Sequence, residues 1–339
     1  MKRVLLEQAV GCALGHDITE VDANRQLKMA VFRRGQIVRE EDLAHLRRLG
    51  RNSLYVLDGT DDGLVHEDDA AIEVAPLAAG DYIAWDPVPV EGKINFRASI
   101  DGLFKVDVDR LYQVNALEIP SLPTIHNNLP VAKGKTVAAF RIIPLHCERQ
   151  VVDAVRAILS TPLFHVKPYC RRKAAVIVTG TEVYEGRIQD AFVPLLRKKA
   201  ALYGLTIMDT AVLPDDRAQI AATAEEFCSR NDLVFVTGGT SVDPDDVTVA
   251  ALRDAGVRCD LKGNPLQPGN NLTIGYRGGA AVCAIPAAAI FFSYTSLDVF
   301  LPRLMAGERI GKDEILRLAH GGLCHRCPTC HYPICPFGR

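Results

Sequence analysis

Apolar positions along the chain follow two different periods, and the change between them divides the sequence. From Lys173 to about Gly307, short β-branched runs alternate with helical stripes. AAVIVTG, LTIMDTAVL, DLVFVTGG and AAVCAIP read as strands, the first and third ending in glycine. Between the first two, a helix starting near Asp190 places Phe192, Leu195, Leu196, Leu202 and Tyr203 on one stripe. Pro194 falls in its first turn, where proline is tolerated, and Gly204 closes it. A second helix is expected over Arg217 to Ser229, a third running to Gly256, and a closing helix over Ala287 to Met305, with Phe291, Phe292 and Tyr294 serving the core or, as the alternative, an interface. The segment VRCDLKGNPLQPGNNLTIGY reads as short strands with turns at Gly263, Asn264 and Pro268. Strands alternating with helices imply an α/β fold, a mostly parallel sheet with helices on both faces.

The pattern before Lys173 is of another kind. EGKINFRASIDGLFKVDVDRLYQVN and KGKTVAAFRIIPL alternate as antiparallel strands do, so one or more β-rich subdomains are expected there. Within REEDLAHLRRLG, Leu43, Leu46 and Leu49 recur at helical spacing and Gly50 caps them; NSLYVLD then reads as a strand. TPLFHVKPYCRRK, with its prolines and basic cluster, is the expected linker. The chain thus divides into a β-rich region with some helix (1–169), an α/β domain (170–310) and a cysteine-rich tail (311–339).

Composition narrows the function classes. A net charge of −2 over 339 residues argues against a dedicated nucleic-acid binder. Glu7 interrupts the basic, partly apolar start, so no signal peptide is expected and the cytoplasm is the expected compartment. The charge-free stretch from Gly279 to Leu297 contains Pro286 and four hydroxyl residues, and reads as a buried strand and packed helix, with no membrane partner. Of the ten cysteines, Cys12, Cys147, Cys170, Cys228, Cys259 and Cys283 are scattered as small hydrophobes are, whereas Cys324, Cys327, Cys330 and Cys335 gather in the tail.

The chemistry concentrates in loops. In an open α/β sheet, ligands sit at the carboxyl ends of the strands, so the loops after Val178 and Val236 should line one crevice. The first carries Thr179, Gly180, Thr181, Glu182 and Gly186, the second Thr237, Gly238, Gly239, Thr240 and Ser241. Glycine lets backbone N–H groups approach a phosphate, and a following helix N-terminus attracts it. Asp243, Asp245 and Asp246 are read either as a hydrated magnesium site beside that phosphate or as an acidic helix cap. A third loop, LQPGNN, offers flexible backbone at Gly269 and amide groups at Asn270 and Asn271 for a heterocycle edge, or else forms a simple hairpin turn. In the first half, Lys133, Lys135 and Arg141 on an alternating strand either face an anion such as molybdate or form a solvated face. His66, Glu67, Asp68 and Asp69 form a polar cluster or a helix N-terminus.

VTGTEVYEGRIQD, VFVTGGTSVDPDD, LQPGNN and AIPAA occur in an order and spacing that resemble the molybdopterin-binding domain of molybdenum cofactor biosynthesis, over about Lys173 to Gly307. The longer chain resembles the molybdopterin molybdotransferases, the molybdenum insertases. That resemblance implies a molybdopterin ligand, free or adenylylated, with phosphate on the glycine loops, Mg2+ nearby, molybdate as substrate and AMP as product. It also implies a homodimer. Carried over by position, Gly238, Gly239 and Ser241 match the phosphate loop, Asp246 the acidic position, Thr179, Gly180, Glu182, Gly186 and Asp190 the first loop, and Pro268 and Gly269 the third. Thr240 and Asn270 complete the expected ligand-binding set, and Asp246 and Asp190 are the expected magnesium holders. Asp243 departs from the family's glycine, Thr181 from aspartate, Ala191 and Phe192 from serine and asparagine, and the alanines after Pro286 from glycine, asparagine and proline. Lost polar contacts of this kind weigh more against insertion than against binding.

The tail, GGLCHRCPTCHYPICPFGR, spaces its cysteines by two, two and four residues, with a final Cys-Pro. Too few apolar residues surround them to form a core, so a metal is the expected organiser: an iron–sulfur cluster or zinc, with His325 or His331 able to replace a cysteine; a redox thiol pair or a disordered reduced tail is the alternative. The molybdotransferases lack such a tail. Three readings follow: an insertase, a non-catalytic carrier or sensor that docks on a molybdoenzyme through the tail, and an electron-transfer accessory. A Ser/His/Asp hydrolase is disfavoured because no histidine occurs between Lys173 and Gly307, and a nicotinamide enzyme because the first turn lacks G-x-G-x-x-G.

Overall fold

The computed structural model describes residues 1–22, 27–57, 59, 63–239 and 247–339. Its largest sheet contains β1 (Lys173–Thr179), β2 (Thr206–Leu213), β3 (Leu233–Thr237), β4 (Arg258–Leu261), β5 (Thr273–Arg277) and β6 (Ala280–Ile285), in the spatial order β2-β1-β3-β6-β5-β4. The first four of that order are parallel; β5 pairs antiparallel with β6, and the edge strand β4 pairs antiparallel with β5. The accompanying helices are α1 (Thr181–Tyr184), α2 (Phe192–Ala201), α3 (Arg217–Arg230), α4 (Thr248–Asp254), α5 (Ala288–Phe291), α6 (Ser296–Met305) and α7 (Lys312–Arg317).

The period of two in β1 and β3 produces the layering. Ala174, Val176, Val178 and Phe235 face a layer containing Leu196 of α2 and Phe300, Leu301 and Leu304 of α6. Ala175, Ile177, Val234 and Val236 face the opposite layer, with Ala224 and Phe227 of α3 and Leu252 of α4. Burial of each large apolar side chain contributes about 1.5–3 kcal/mol, which is why the central strands are apolar throughout. The α/β reading of the sequence is thereby borne out.

Several expectations are corrected. The closing helix is broken into α5 and α6, because Phe292 is extended and Thr295 restarts the helix with a reciprocal capping box to Asp298. Phe291 is 78% exposed and Leu202 is 70% exposed, so neither belongs to the core. VDRLYQVN is a helix, Val108–Asn115, whose Asp107 carboxylate accepts the Arg110 N–H at 3.0 Å. The expected linker contains a strand, Phe164–Pro168, paired with Gly102–Val106. Lys133 and Lys135 flank the turn glycine Gly134 ahead of the strand Thr136–Ile142, which carries Arg141.

The region before β1 holds two cores. One gathers Leu6, Leu14, Ile18, Phe32, Leu46 and Val56, with Leu46 on the expected Asp42–Arg48 helix. The other gathers residues from Val65 to Val166, including Phe96, Phe104, Phe140 and Phe164. It is joined to the α/β domain by Tyr169, whose hydroxyl donates to Gly102 O at 3.0 Å, and by the Lys105–Glu308 pair at 2.8 Å.

Candidate functional site

Strand register places the sequence-selected loops on one edge of the sheet. Val178 pairs with Thr237, Thr237 with Ile285, and Ala284 with Thr273, so the carboxyl ends of β1, β3 and β6 and the entry to β5 form one row. The turns after Thr179, Thr237 and Ile285 leave from this row, and the Leu266–Asn271 loop arrives at it.

At its centre the two glycine loops interlock. Thr179 Oγ1 donates to Thr237 O at 2.9 Å and lies 3.3 Å from Thr248 Oγ1, which donates to Gly238 O at 2.9 Å. Gly238 has φ +88°, and a Cβ there would collide with the Thr179 carbonyl; a Cβ on Gly239, at φ +51°, would lie 2.7 Å from Thr248 Oγ1. Only glycine satisfies both the backbone conformation and the space. Thr237 is fully buried, and its Oγ1 has no hydrogen-bond partner among the described residues. This hydroxyl and the side-chain-free backbone at Gly238 and Gly239 lie together at the edge. Thr240, Ser241, Asp243, Asp245 and Asp246 lie outside the described residues.

The first loop turns away from β1 at Gly180, whose N–H donates to Leu213 O at 3.1 Å. Thr181 is fixed by Asp215, which accepts both its N–H at 3.0 Å and its hydroxyl at 3.2 Å. Glu182 and Gly186 are exposed on the short α1 turn. Asp190 is the cap of α2: its two oxygens accept the N–H groups of Phe192 at 2.8 Å and Val193 at 3.0 Å. This local role accounts for the residue type, although each oxygen retains a second lone pair.

In the third loop Pro268 and Gly269 are buried while Asn270 is exposed. Ser296 at the start of α6 donates its N–H to Pro268 O at 3.0 Å and its hydroxyl to Gly269 O at 2.6 Å. Asn264 Nδ2 bonds Gly269 O at 3.0 Å and Leu272 O at 3.1 Å, and its N–H donates to Asn270 O at 2.7 Å. Sequence reasoning gave no role to Thr248 or Ser296 and took Asn264 only as a turn residue. Their shared signal is a short hydroxyl or amide beside a glycine, which is too common to single out.

The tail packs onto this third loop. Gln267 and Leu323 form a bridge, with Gln267 N–H to Gly322 O at 2.7 Å and Cys324 N–H to Gln267 O at 2.8 Å. All four tail cysteines line one cavity of about 260 Å3, together with Pro268, Phe292, Tyr294, Tyr332 and Phe337. Beneath it lies an ion pair that sequence reading missed, Lys199 Nζ to Asp298 Oδ1 at 2.5 Å, with both residues buried. Burial pushes the Asp298 carboxyl up, and Lys199 opposes that shift. Lys199 also donates to Ser293 O at 2.9 Å, and the Tyr332 hydroxyl donates to Asp298 O at 2.7 Å. Among the described residues, no three Cys, His, Asp or Glu side chains gather closely enough to hold a single metal ion.

The first-half candidates resolve differently. Glu67–Ala78 is a helix whose N-cap is His66, its Nδ1 accepting the Asp68 N–H at 3.1 Å, so the polar cluster is a helix N-terminus. Arg141 pairs with Glu67 at 3.1 Å. His66 is 4% exposed, its Nε2 has no hydrogen-bond partner among the described residues, and burial pulls its pKa down to about 4.

Comparison with known proteins adds the following. A CinA-like protein of Desulfosudis oleivorans is 34% identical over 82 residues, which is 24% of this chain and 20% of that protein. The chain therefore spans about a fifth of the length of that curated relative. Among solved structures, CinA from Thermoplasma acidophilum covers 40% of this chain and 98% of its own at 18% identity and a TM-score of 0.35. The molybdopterin biosynthesis enzyme MoaB from Thermus thermophilus covers 40% and 98% at 18% identity and a TM-score of 0.32. Residues 3–58 match a family described as a domain of unknown function. Residues 175–306, which carry all six strands from β1 at Ala175 onward and the three loops, match the family described as a probable molybdopterin binding domain.

Proposed function

We propose that the protein binds molybdopterin at the Thr179, Gly238 and Pro268 edge and inserts molybdenum into its adenylylated form with release of AMP. The observation that carries this reading is the interlocked pair of glycine turns, with a Thr237 hydroxyl that has no partner among the described residues, inside the segment that matches the family described as a probable molybdopterin binding domain. In this reading Gly238, Gly239, Thr240 and Ser241 cradle the phosphate, Thr179, Gly180, Glu182 and Gly186 border it, and Pro268, Gly269 and Asn270 meet the pterin. Asp246 and Asp190 hold Mg2+, which offsets charge on the departing phosphate. A molybdate oxygen attacks the adenylate phosphorus and the phosphoanhydride bond to the pterin phosphate breaks, leaving the pterin phosphate and an adenylyl-molybdate; the two dithiolate sulfurs then bond to molybdenum as its oxygen bridge to the adenylate breaks, and AMP departs with that oxygen. The protein acts as a homodimer in the cytoplasm, and its tail cysteines hold iron–sulfur or zinc.

A carrier or sensor of the cofactor, docking on a molybdoenzyme through the tail, is the second reading. It is favoured by Asp190, whose carboxylate oxygens both accept N–H groups of α2, and by Ala191 and Phe192 beside it. The experiment is AMP release from adenylylated molybdopterin with magnesium and molybdate. Molybdate-dependent release that disappears in Asp246→Ala supports insertion. Saturable binding without release supports the carrier.

A further inference from the structure

We infer that the tail cavity is the site of a four-iron, four-sulfide cluster ligated by Cys324, Cys327, Cys330 and Cys335, rather than of a single zinc ion. A tetrahedral zinc with bonds of about 2.3 Å draws its four sulfurs to about 3.8 Å from one another and leaves no void between them. Here the four cysteines border a common space of about 260 Å3, and among the described residues no three metal-ligating side chains converge on one point. A cubane cluster fits the opposite arrangement, because each thiolate takes a separate iron at the corner of an inorganic core that fills the space itself.

The surroundings favour the same occupant. Phe292, Tyr294, Tyr332 and Phe337 supply apolar walls, and Phe337 is only 4% exposed. These contacts, with the Gln267 bridge and the Tyr332 bond to Asp298, fix the segment to the α/β domain. Arg326 N–H donates to Cys324 Sγ at 3.4 Å, the type of bond that tunes a cluster sulfur, and the Arg326 guanidinium stacks 5.1 Å from the Phe292 ring. The cation lines the cavity, where it offsets the negative charge of a cluster bound by four thiolates. On assembly each thiol releases one proton, ferrous iron and sulfide are supplied from solution, and their oxidation to the mixed-valence core requires a mild oxidant such as a disulfide.

The cluster goes beyond the pterin reading and is independent of it. Its wall includes Pro268, and Cys324 is bonded through its N–H to Gln267, the residue before Pro268. The test is anaerobic reconstitution of the full chain with ferrous iron, sulfide and a disulfide oxidant, with zinc offered in a parallel sample. The expected result is about four iron and about four acid-labile sulfide per chain with broad visible absorption. Cys324→Ser and Cys335→Ser should each lose most of the bound iron, whereas Cys12→Ser, in the N-terminal core, should retain it. One equivalent of zinc without sulfide, iron without sulfide, or no metal uptake by protein with an unchanged circular dichroism spectrum would each overturn the proposal. Pterin binding by the same samples is read separately, so either conclusion can fail alone.

Discussion

The glycine-loop edge and the cysteine cavity lie on two sides of the same Pro268 loop, yet they are built by different means. At the edge, hydroxyls and backbone bond one another: Thr179 to Thr237, Thr248 to Gly238, Asp190 to the start of α2. The backbone there is set by positions where no side chain fits. The cavity is instead walled by aromatic side chains over the buried Lys199–Asp298 pair, with four cysteines on its lining. One region is shaped by the absence of side chains, the other by their packing.

The sharpest way to break this contrast is to remove the charge pair under the cavity. Lys199→Met leaves Asp298 buried without its cation and should cost about 3–5 kcal/mol in chemical denaturation, because a half-removed buried pair is worse than none. It should also make the tail more susceptible to limited proteolysis while the glycine edge stays intact. A loss below about 1 kcal/mol would show that the pair does not support the cavity.

Gly238→Ala attacks the other side. Positive φ and the approach of Thr179 O together predict a loss of about 3 kcal/mol, read from the denaturation midpoint, and loss of pterin binding. Tail proteolysis should not change at temperatures where the variant is folded. Equal damage to both regions would show that they form one cooperative unit.

His66 lies apart from both regions and supplies a pH control. Its folded pKa is depressed to about 4 by burial, so between about pH 6.5 and 4 the unfolded chain binds the proton that the folded chain refuses. Its contribution to stability is fully present above the unfolded pKa and is lost as pH falls through that window, at about 1.4 kcal/mol per unit. Denaturation of His66→Asn, compared with the native chain over this range, should show a shallower dependence; an unchanged slope would assign the acid sensitivity elsewhere.

Asp190 gives the smallest effect and the most discriminating one. Asp190→Ala should cost about 1 kcal/mol by loss of the α2 cap, whereas Asp190→Asn retains a capping oxygen and should be nearly neutral in stability. If Asp190 also holds magnesium, the asparagine variant will lose magnesium-dependent AMP release at unchanged stability. Unaltered release would restrict the residue to its cap.

Much of this contrast was legible in the residues. The short apolar runs AAVIVTG and DLVFVTGG, each ending in glycine, marked the central strands and both turns, because those strands are buried on two faces and admit little besides apolar side chains. Gly238 was identifiable since few residue types tolerate its backbone. Less legible was the break between α5 and α6, where Thr295 and Asp298 close a capping box inside an otherwise helical, apolar run. Asp190 was marked by its position in the resemblance and by the helix expected to start near it, but its two bonds to the start of α2 depend on geometry that the residue type alone does not give. The cavity itself could not be read, since it depends on Gln267 and Leu323 meeting across a separation that no local pattern encodes.

Titration of molybdopterin into the pure, full-length chain tests the central claim most directly, with folded Gly238→Ala and Cys335→Ser beside it. The account predicts saturable binding by the native chain and Cys335→Ser, and none by Gly238→Ala. Absence of saturable binding, or binding unaffected by Gly238→Ala, would contradict the assignment of the pterin to the glycine-loop edge.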